Sequence, residues 1–387
     1  MLAFNPFYPA VQNNRGVELA RLGRYEEALA SYNGALAIDP DCAEALSNRG
    51  DALRMLGHYA EALAGYTRAQ ALKSGLAYAH WNEGICRLQM GDYPAGWKKY
   101  EWRLKIKALN LKARKLRQPR WLGAETLHGR TILLHAEQGL GDTIQFVRYA
   151  PLVAAKGATV LLDVPGMLAP LMARLAGVKR VLDRSEALPA FDFHCPLPSL
   201  PLAFGTTLDT VPASNPYLST DSDAAARWRA RLAPQGQTLV GVAWRGSPGY
   251  AHDRERSIRF ADFARLMALP GVRFVSLQKE LTWEECRLAD SLPQLVHPGA
   301  DFRNTAEAIA ALDLVISVDT AWAHWAGAVG KPLWVLLPFV PHWTWLTERE
   351  DSPWYPTARL FRQPRSGDWT SVIRNAREAL AGRRNTA

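Results

Sequence analysis

The sequence predicts an α-helical repeat array followed by an α/β body built on parallel sheets in two halves. Three observations carry that expectation. Residues recur every 34 positions in the N-terminal part, short β-branched runs alternate with helical spacing downstream, and a proline-rich stretch from Pro196 to Pro216 interrupts the second part. At 387 residues the chain exceeds what one core ordinarily organises, so two or three domains are expected.

The recurrence is strict. Gly16, Gly50 and Gly84 are 34 apart, as are Gly23, Gly57 and Gly91, then Tyr25, Tyr59 and Tyr93, then Tyr32, Tyr66 and Tyr100. Ala28 and Ala62 continue as Gly96, and Ala35 matches Ala69. Small residues at fixed offsets let two helices cross closely, and the tyrosines fill the gaps between successive pairs. The pattern resembles the tetratricopeptide repeat in three copies. That resemblance implies helical hairpins over residues 1–108, each burying its apolar face on the next. Its concave surface would bind a peptide or stack on an adjacent domain. The third copy is rich in tryptophan (Trp81, Trp97, Trp102), which marks it as the end expected to dock on the rest of the chain.

A net charge of +9 suggests nucleic acid at first, but its location argues otherwise. Between Lys98 and Arg120 stand ten Lys/Arg and one acid, Glu101, and the remainder of the chain balances at 36 basic and 36 acidic residues. The excess is one local run, read as a solvated helix face or a basic linker over 109–128, with a patch for phosphate or an acidic partner as the alternative. Nucleic acid is therefore not an expected partner. Cys42, Cys86, Cys195 and Cys286 are scattered without CxxC spacing, which fits a reducing cytoplasm and neither a disulfide framework nor a zinc site. The opening MLAFNPFYPA lacks the basic and apolar regions of a signal peptide, and no window is apolar enough for a membrane span.

Beyond the basic run, TILLHA (131–136), ATVLLDV (158–164), LVGVAW (239–244), VRFVSL (272–277) and DLVISV (313–318) are short apolar strands. Helical spacing lies between most of them, as in DTIQFVRYAPLVAA (142–155), RFADFARLMAL (259–269) and TAEAIAAL (305–312). Continuous apolar strands alternating with helices indicate parallel sheets covered on both faces. Two Rossmann-like halves are expected, over 129–218 and 236–387, the second ending in a C-terminal helix. A single large sheet is the competing layout.

Ligands of open α/β sheets sit beyond the carboxyl ends of strands, where helices begin. Two places fit. In AEQGLGDTIQF a strand leads through Gly139 and Gly141 to Asp142 at a helix start. Asp142 reads as a helix N-cap, and also as a carboxylate able to take a proton from an incoming hydroxyl. In VISVDTAWAHWAGAVGKP the strand ends on Asp319 and Thr320, with Ala321 opening a helix and His324 four residues after the threonine. Backbone N–H groups at such a helix start seat phosphate, to which Thr320 adds a hydroxyl and His324 a ring N–H. The competing reading is a capped core helix. After LVGVAW come Arg245, Ser247 and Arg256, cations and small residues suited to a diphosphate or to a solvated loop, while Gln278 and Lys279 end VRFVSL on the same presumed edge.

These residues carry a second resemblance. VDTAWAHWAGAVGKP is similar to the D-T-G-x-x-H element of heptosyltransferase-type enzymes of glycosyltransferase family 9, and GLGDTIQFVRY resembles their first-turn motif. With GVAWRGSP, DRERSI and LLPFVPHWTWLTEREDSPWYP, the likeness is to bacterial repeat-bearing proteins with such a domain and covers nearly the whole chain. The overall plan also resembles that of repeat-bearing O-GlcNAc transferases.

The resemblance implies a GT-B fold and inverting, metal-independent transfer from a nucleotide-diphosphate sugar, with no further cofactor. It makes Asp142 the catalytic base on the acceptor-side half. Asp319, Thr320, Ala321 and His324 then hold the diphosphate, while Arg245 or Arg256 offsets leaving-group charge. Two departures stand out. Ala321 replaces the glycine of D-T-G, and the family's lysine after the first strand of the second half has no clear counterpart, so Arg256 is taken in its place. Added helical repeats point to a protein or glycan acceptor. The alternative is a scaffold whose repeats bind partners and whose body is catalytically silent.

Overall fold

The computed structural model describes residues 8–111, 114, 116–250, 252–298 and 307–384. The opening residues read for a leader, residues 112, 113 and 115 of the basic run, and the start of the 305–312 helical stretch lie outside the described residues. The chain forms two units: one comprises Met1–Leu111 with Gly205–Leu208 and Phe339–Glu348, the other Lys112–Phe204, Asp209–Pro338 and Arg349–Ala387.

The first unit holds three helical hairpins: α1 (Pro9–Arg21) with α2 (Tyr25–Ile38), α3 (Ala43–Met55) with α4 (Tyr59–Leu72), and α5 (Ala77–Gln89) with α6 (Tyr93–Tyr100). Each hairpin turns on one residue of the glycine series. Gly23, Gly57 and Gly91 have φ of 72°, 85° and 86°, a left-handed conformation that side chains resist. The next N–H reaches back to close the preceding helix: Arg24 to the Leu19 carbonyl, His58 to Leu53 and Asp92 to Arg87, each at 2.9 Å. The other glycine series works by contact. A methyl group on Gly50 would stand 2.7 Å from the Tyr66 ring, and one on Gly84 would stand 2.8 Å from the Tyr100 backbone nitrogen. Tyr32 and Tyr66 thus fill space inside their own hairpins as well as against the next repeat, where they meet Ala52 and Cys86.

Two distant segments complete this unit around the third repeat. The Trp97 indole donates to the Thr206 carbonyl at 3.0 Å and meets Trp343 edge-on, with ring centroids 5.2 Å apart. Gln89 donates to the Pro341 carbonyl at 2.7 Å. The HWTWL stretch, which falls within the span read as the C-terminal half, therefore packs with the repeats. Of the three tryptophans of that repeat, Trp97 makes this junction, whereas Trp102 stacks on His80 with centroids 3.8 Å apart. The basic run is less solvated than its composition implies. Arg103 is wholly buried on Glu101 at 2.6 Å, and Lys99 pairs with Glu83 at 2.8 Å.

In the second unit the strands form two sheets rather than one, each wholly parallel. The first comprises β1 (Thr131–His135), β2 (Thr159–Val164), β3 (Val178–Asp183) and β4 (Phe193–Pro196), in the order β3-β2-β1-β4. The second comprises β5 (Thr238–Ala243), β6 (Val272–Ser276), β7 (Leu295–Val296), β8 (Leu314–Val318), β9 (Leu333–Leu337) and β10 (Ala358–Arg362). Its order is β10-β9-β8-β5-β6-β7.

Both orders reverse once. The chain winds outward from β1 through β2 and β3, then returns to place β4 on the other side of β1. From β5 it winds through β6 and β7, then returns to place β8 beside β5. Crevices open where a sheet's winding reverses, so the loops after β1 and after β5 and β8 are the positions the fold offers to a ligand. Residues 136–142 follow β1, 244–257 follow β5, and Asp319 follows β8.

The second sheet is sealed by one continuous core. Val240, Val242, Leu314, Ile316, Val318 and Leu336 meet Phe260, Phe263 and Leu266. Val372, Ile373, Ala376 and Leu380 of the C-terminal helix Trp369–Arg384 close the same cluster at helical spacing. Each large aliphatic side chain so buried contributes about 1.5–3 kcal/mol. Among the described residues no helix is long and apolar enough to cross a membrane.

Candidate functional site

The turn after β1 runs through Glu137 and Gln138 into helix α7 (Leu140–Phe146). Gly139 is the N-cap and Asp142 stands three residues in, rather than at the cap itself. Its Oδ2 accepts from the Gly139 N–H at 3.1 Å, one half of a capping box, since glycine has no side chain to return the bond. Asp142 is half-buried. Capping is therefore one role that this carboxylate fills.

At the end of β8, Thr320 is the N-cap of the helix Ala321–Ala328. Its hydroxyl makes no capping bond and lies 3.1 Å from the Ser317 hydroxyl instead. His324 sits one turn in. Its Nε2 faces the Asp319 carboxylate, 3.6 Å from Oδ1, and its Nδ1 is 2.8 Å from the Tyr355 hydroxyl. Asp319, Thr320 and His324 are 7%, 8% and 6% exposed, so only their edges face outward.

The two motifs touch. A methyl group on Gly141 would come within 2.8 Å of His324 Cδ2 and 3.3 Å of Nε2, and within 3.7 Å of the Ala321 Cα. Only glycine lets the turn carrying Asp142 lie so close to the start of the second helix. The loop after β5 joins them. Arg256 donates to the Asp319 carbonyl at 2.7 Å and to Asp253 at 3.0 Å, with Tyr250 under its guanidinium at 4.5 Å. Ser257 accepts from the Gly246 N–H at 3.0 Å and donates to Asp253 at 3.1 Å, which holds the loop in this shape. Gly141, Ala321, His324, Asp319, Thr320 and Arg256 thus form one cluster drawn from both sheets' loops, and Asp142 adjoins it as the neighbour of Gly141 in α7.

The remaining residues read from sequence divide differently. Arg245 lies on Glu285, with both contacts at 3.1 Å, and donates to the Glu280 carbonyl. Gln278 exchanges hydrogen bonds with the Arg245 backbone at 3.4 and 3.2 Å, clamping the ends of β5 and β6 together. Ser247 and Lys279 are exposed on the loops after those strands. Burial would raise the Glu285 carboxyl, but hydrogen bonds from the Thr282 N–H, the Trp244 indole and Arg245 hold it below the usual range.

The sequence assigns no site role to two residues of the cluster's inner side, and its SPWYP aromatics read as core packing in preference to stacking on a sugar or base. Tyr355 is wholly buried, and burial first, then the neighbouring Tyr217, pushes its hydroxyl well above the ordinary phenol range. Arg148 follows α7 and is also buried. It donates to the carbonyls of Gln145 at 2.8 Å, Pro212 at 3.2 Å and Trp354 at 2.6 Å, and to the Tyr217 hydroxyl at 3.0 Å. The arginine of FVRY and the tyrosine of SPWYP were the available signals, a cation in an apolar helix and an aromatic in a proline-bound loop.

Comparison with known proteins agrees with this architecture. A crystal structure of a glycosyl transferase of family 9 from Veillonella parvula matches with a TM-score of 0.50 and 12% identity, over 67% of this chain and 98% of that one. The α/β body has the family 9 glycosyltransferase fold. A family model for the TPR repeat matches residues 16–57. The FlbA protein of Caulobacter vibrioides is 29% identical over 314 residues, 74% of this chain and 52% of its own length, so the chain spans about half of that relative. The first TPR domain of human RPAP3 is 25% identical over 27% of this chain and 82% of its own, with a TM-score of 0.25. The chain thus joins a tetratricopeptide-like helical array to a parallel-sheet body resembling family 9 glycosyltransferases.

Proposed function

We propose that the chain is an inverting glycosyltransferase that moves a sugar from a nucleotide-diphosphate donor to a protein or glycan acceptor presented by the repeats. The observation that carries this is the contact between the Asp142 turn and the Asp319–His324 element, each at the winding reversal of its own sheet. Asp142 takes the proton of the acceptor hydroxyl, whose oxygen attacks the anomeric carbon. The sugar–phosphate bond breaks and the diphosphate leaves with its electron pair. The start of the helix Ala321–Ala328, Thr320, His324 and Arg256 receive that charge, so the step needs no metal. Exposed Ser247 and Lys279 would reach the ribose or outer phosphate. Ala321, where the family has glycine, narrows the approach to the helix start. Scattered cysteines favour a cytoplasmic setting. The test is release of nucleoside diphosphate from UDP-, GDP- and ADP-sugars. Asp142→Asn should lower it by about a hundredfold or more, and full activity in that variant refutes the base.

A second reading, a partner-binding scaffold with a silent body, is favoured by one observation: Asp319, Thr320 and His324 are nearly covered and already bonded to protein. Thermal stabilisation by a nucleoside diphosphate would remove it, and no stabilisation by UDP, GDP or ADP would support it.

A further inference from the structure

Resting on the donor-site reading above, we infer that Tyr355 is a positioning residue that fixes His324 in the tautomer with its proton on Nε2, and that Arg148 holds Tyr355 for that task.

Each end of the imidazole meets a group whose chemistry is set. Nε2 lies 3.6 Å from Asp319 Oδ1, longer than a hydrogen bond but close enough that the electron-rich carboxyl oxygen favours an N–H over a lone pair there, which points to the proton on Nε2. In the neutral ring Nδ1 is then an acceptor, to which the Tyr355 hydroxyl at 2.8 Å donates, with Tyr217 and Arg148 as further side-chain hydrogen-bond neighbours of that hydroxyl. Burial keeps that hydroxyl protonated and able to donate. The same Nε2 edge is the one that Gly141 borders, on the side of the Asp142 turn. A ring held this way presents a fixed N–H where a departing phosphate oxygen would gather charge. A ring free to exchange tautomers would offer a lone pair part of the time and repel it.

Arg148 explains how the phenol is held. Its guanidinium lies 4.7 Å from the Tyr355 ring centre and 4.5 Å from the Tyr217 ring centre. Its N–H groups donate to three carbonyls and to Tyr217, whose own hydroxyl donates to the Ile144 carbonyl of α7 at 3.0 Å. The tyrosine pair is thereby tied to the helix that carries Asp142. The group expected to take the acceptor's proton and the group expected to steady the leaving phosphate share one buried support.

The experiment is a long-range proton–nitrogen correlation on the full chain labelled with 15N-histidine, the His324 signals being those lost in His324→Gln. The expected result is a protonated Nε2 and unprotonated Nδ1 in the unaltered protein, and a mixture of tautomers in Tyr355→Phe at a similar melting temperature. A proton on Nδ1 in the unaltered protein, or an unchanged tautomer in Tyr355→Phe, would overturn the inference; the first measurement needs no variant at Tyr355. Calorimetric titration with UDP, GDP and ADP gives a separate readout. The nucleotide that binds should lose about tenfold in affinity in Tyr355→Phe, as when a hydrogen bond to a binding group is removed, and equal affinity would count against the positioning role. If none binds while the tautomer behaves as expected, the donor reading fails and the tautomer assignment stands.

Discussion

Gly141 and His324 lie so close that a single added methyl group on the glycine would press on the imidazole at 2.8 Å. Two motifs separated by most of the body's sequence meet at that contact. It makes the first prediction. Gly141→Ala should cost about 1–3 kcal/mol by overpacking and weaken nucleotide binding, because the His324 ring must turn away. Gly139→Ala, whose methyl would meet only Asp142 Oδ2 at 3.2 Å, is the milder control. Melting curves with and without nucleoside diphosphate check both.

Asp142 combines capping with its proposed chemistry, and substitutions separate the two. Asparagine keeps an oxygen for the Gly139 N–H, so Asp142→Asn should fold with nearly unchanged stability while transfer falls. Asp142→Ala should lose transfer together with about 1 kcal/mol of stability. Equal stability of the two variants would show that the bond at 3.1 Å contributes nothing.

Arg256 bonds the backbone carbonyl that precedes Thr320. Arg256→Lys retains the charge but not the fork, so the Asp253 and Asp319 bonds, made by two separate nitrogens, would have to be shared by one ammonium with poorer geometry. A drop in nucleoside diphosphate affinity of about tenfold or more is expected, read by calorimetry. An unchanged value would move the phosphate away from this loop.

Glu285 gives the pH dependence. Its folded-state carboxyl is held below the usual range, so its contribution to stability is fully present above the unfolded value, about 4.3, and is lost as pH falls through the folded one. Glu285→Gln should therefore lower stability near neutrality, with the difference from the parent protein shrinking below about pH 4. Urea unfolding across pH 3 to 7 would show it, and a constant gap would contradict it.

Trp97 anchors the third repeat to two distant segments. Trp97→Ala should cost about 3–5 kcal/mol, more than removing the surface-stacked Trp102, as measured by denaturant unfolding followed by tryptophan fluorescence.

What the sequence disclosed followed from periodicity. Gly16, Gly50 and Gly84 repeat because each faces its hairpin partner at the same height, and that regularity is written in the spacing. Strands β1, β2, β5, β6 and β8 were visible as β-branched runs because both of their faces are covered. Edge strand β3, VKRVLD, was not, since Lys179 and Arg180 are both exposed where its pairing with β2 slips by a residue and breaks the alternation. Asp319 and His324 could be placed because they sit on one short strand-to-helix step. Tyr355 and Arg148 could not, because their meeting depends on how remote loops return to the same spot. The same reason hid the engagement of Arg245 with Glu285, two residues that look like surface charge when read along the chain.

The helical array takes in Gly205–Leu208 and Phe339–Glu348, borrowed from far along the polypeptide. Transplanting the repeats by a single excision would orphan Trp97 and strand Trp343, leaving greasy surface on both products. The helical array and the α/β body are therefore inherited together, because neither can be lifted out as one continuous stretch of polypeptide.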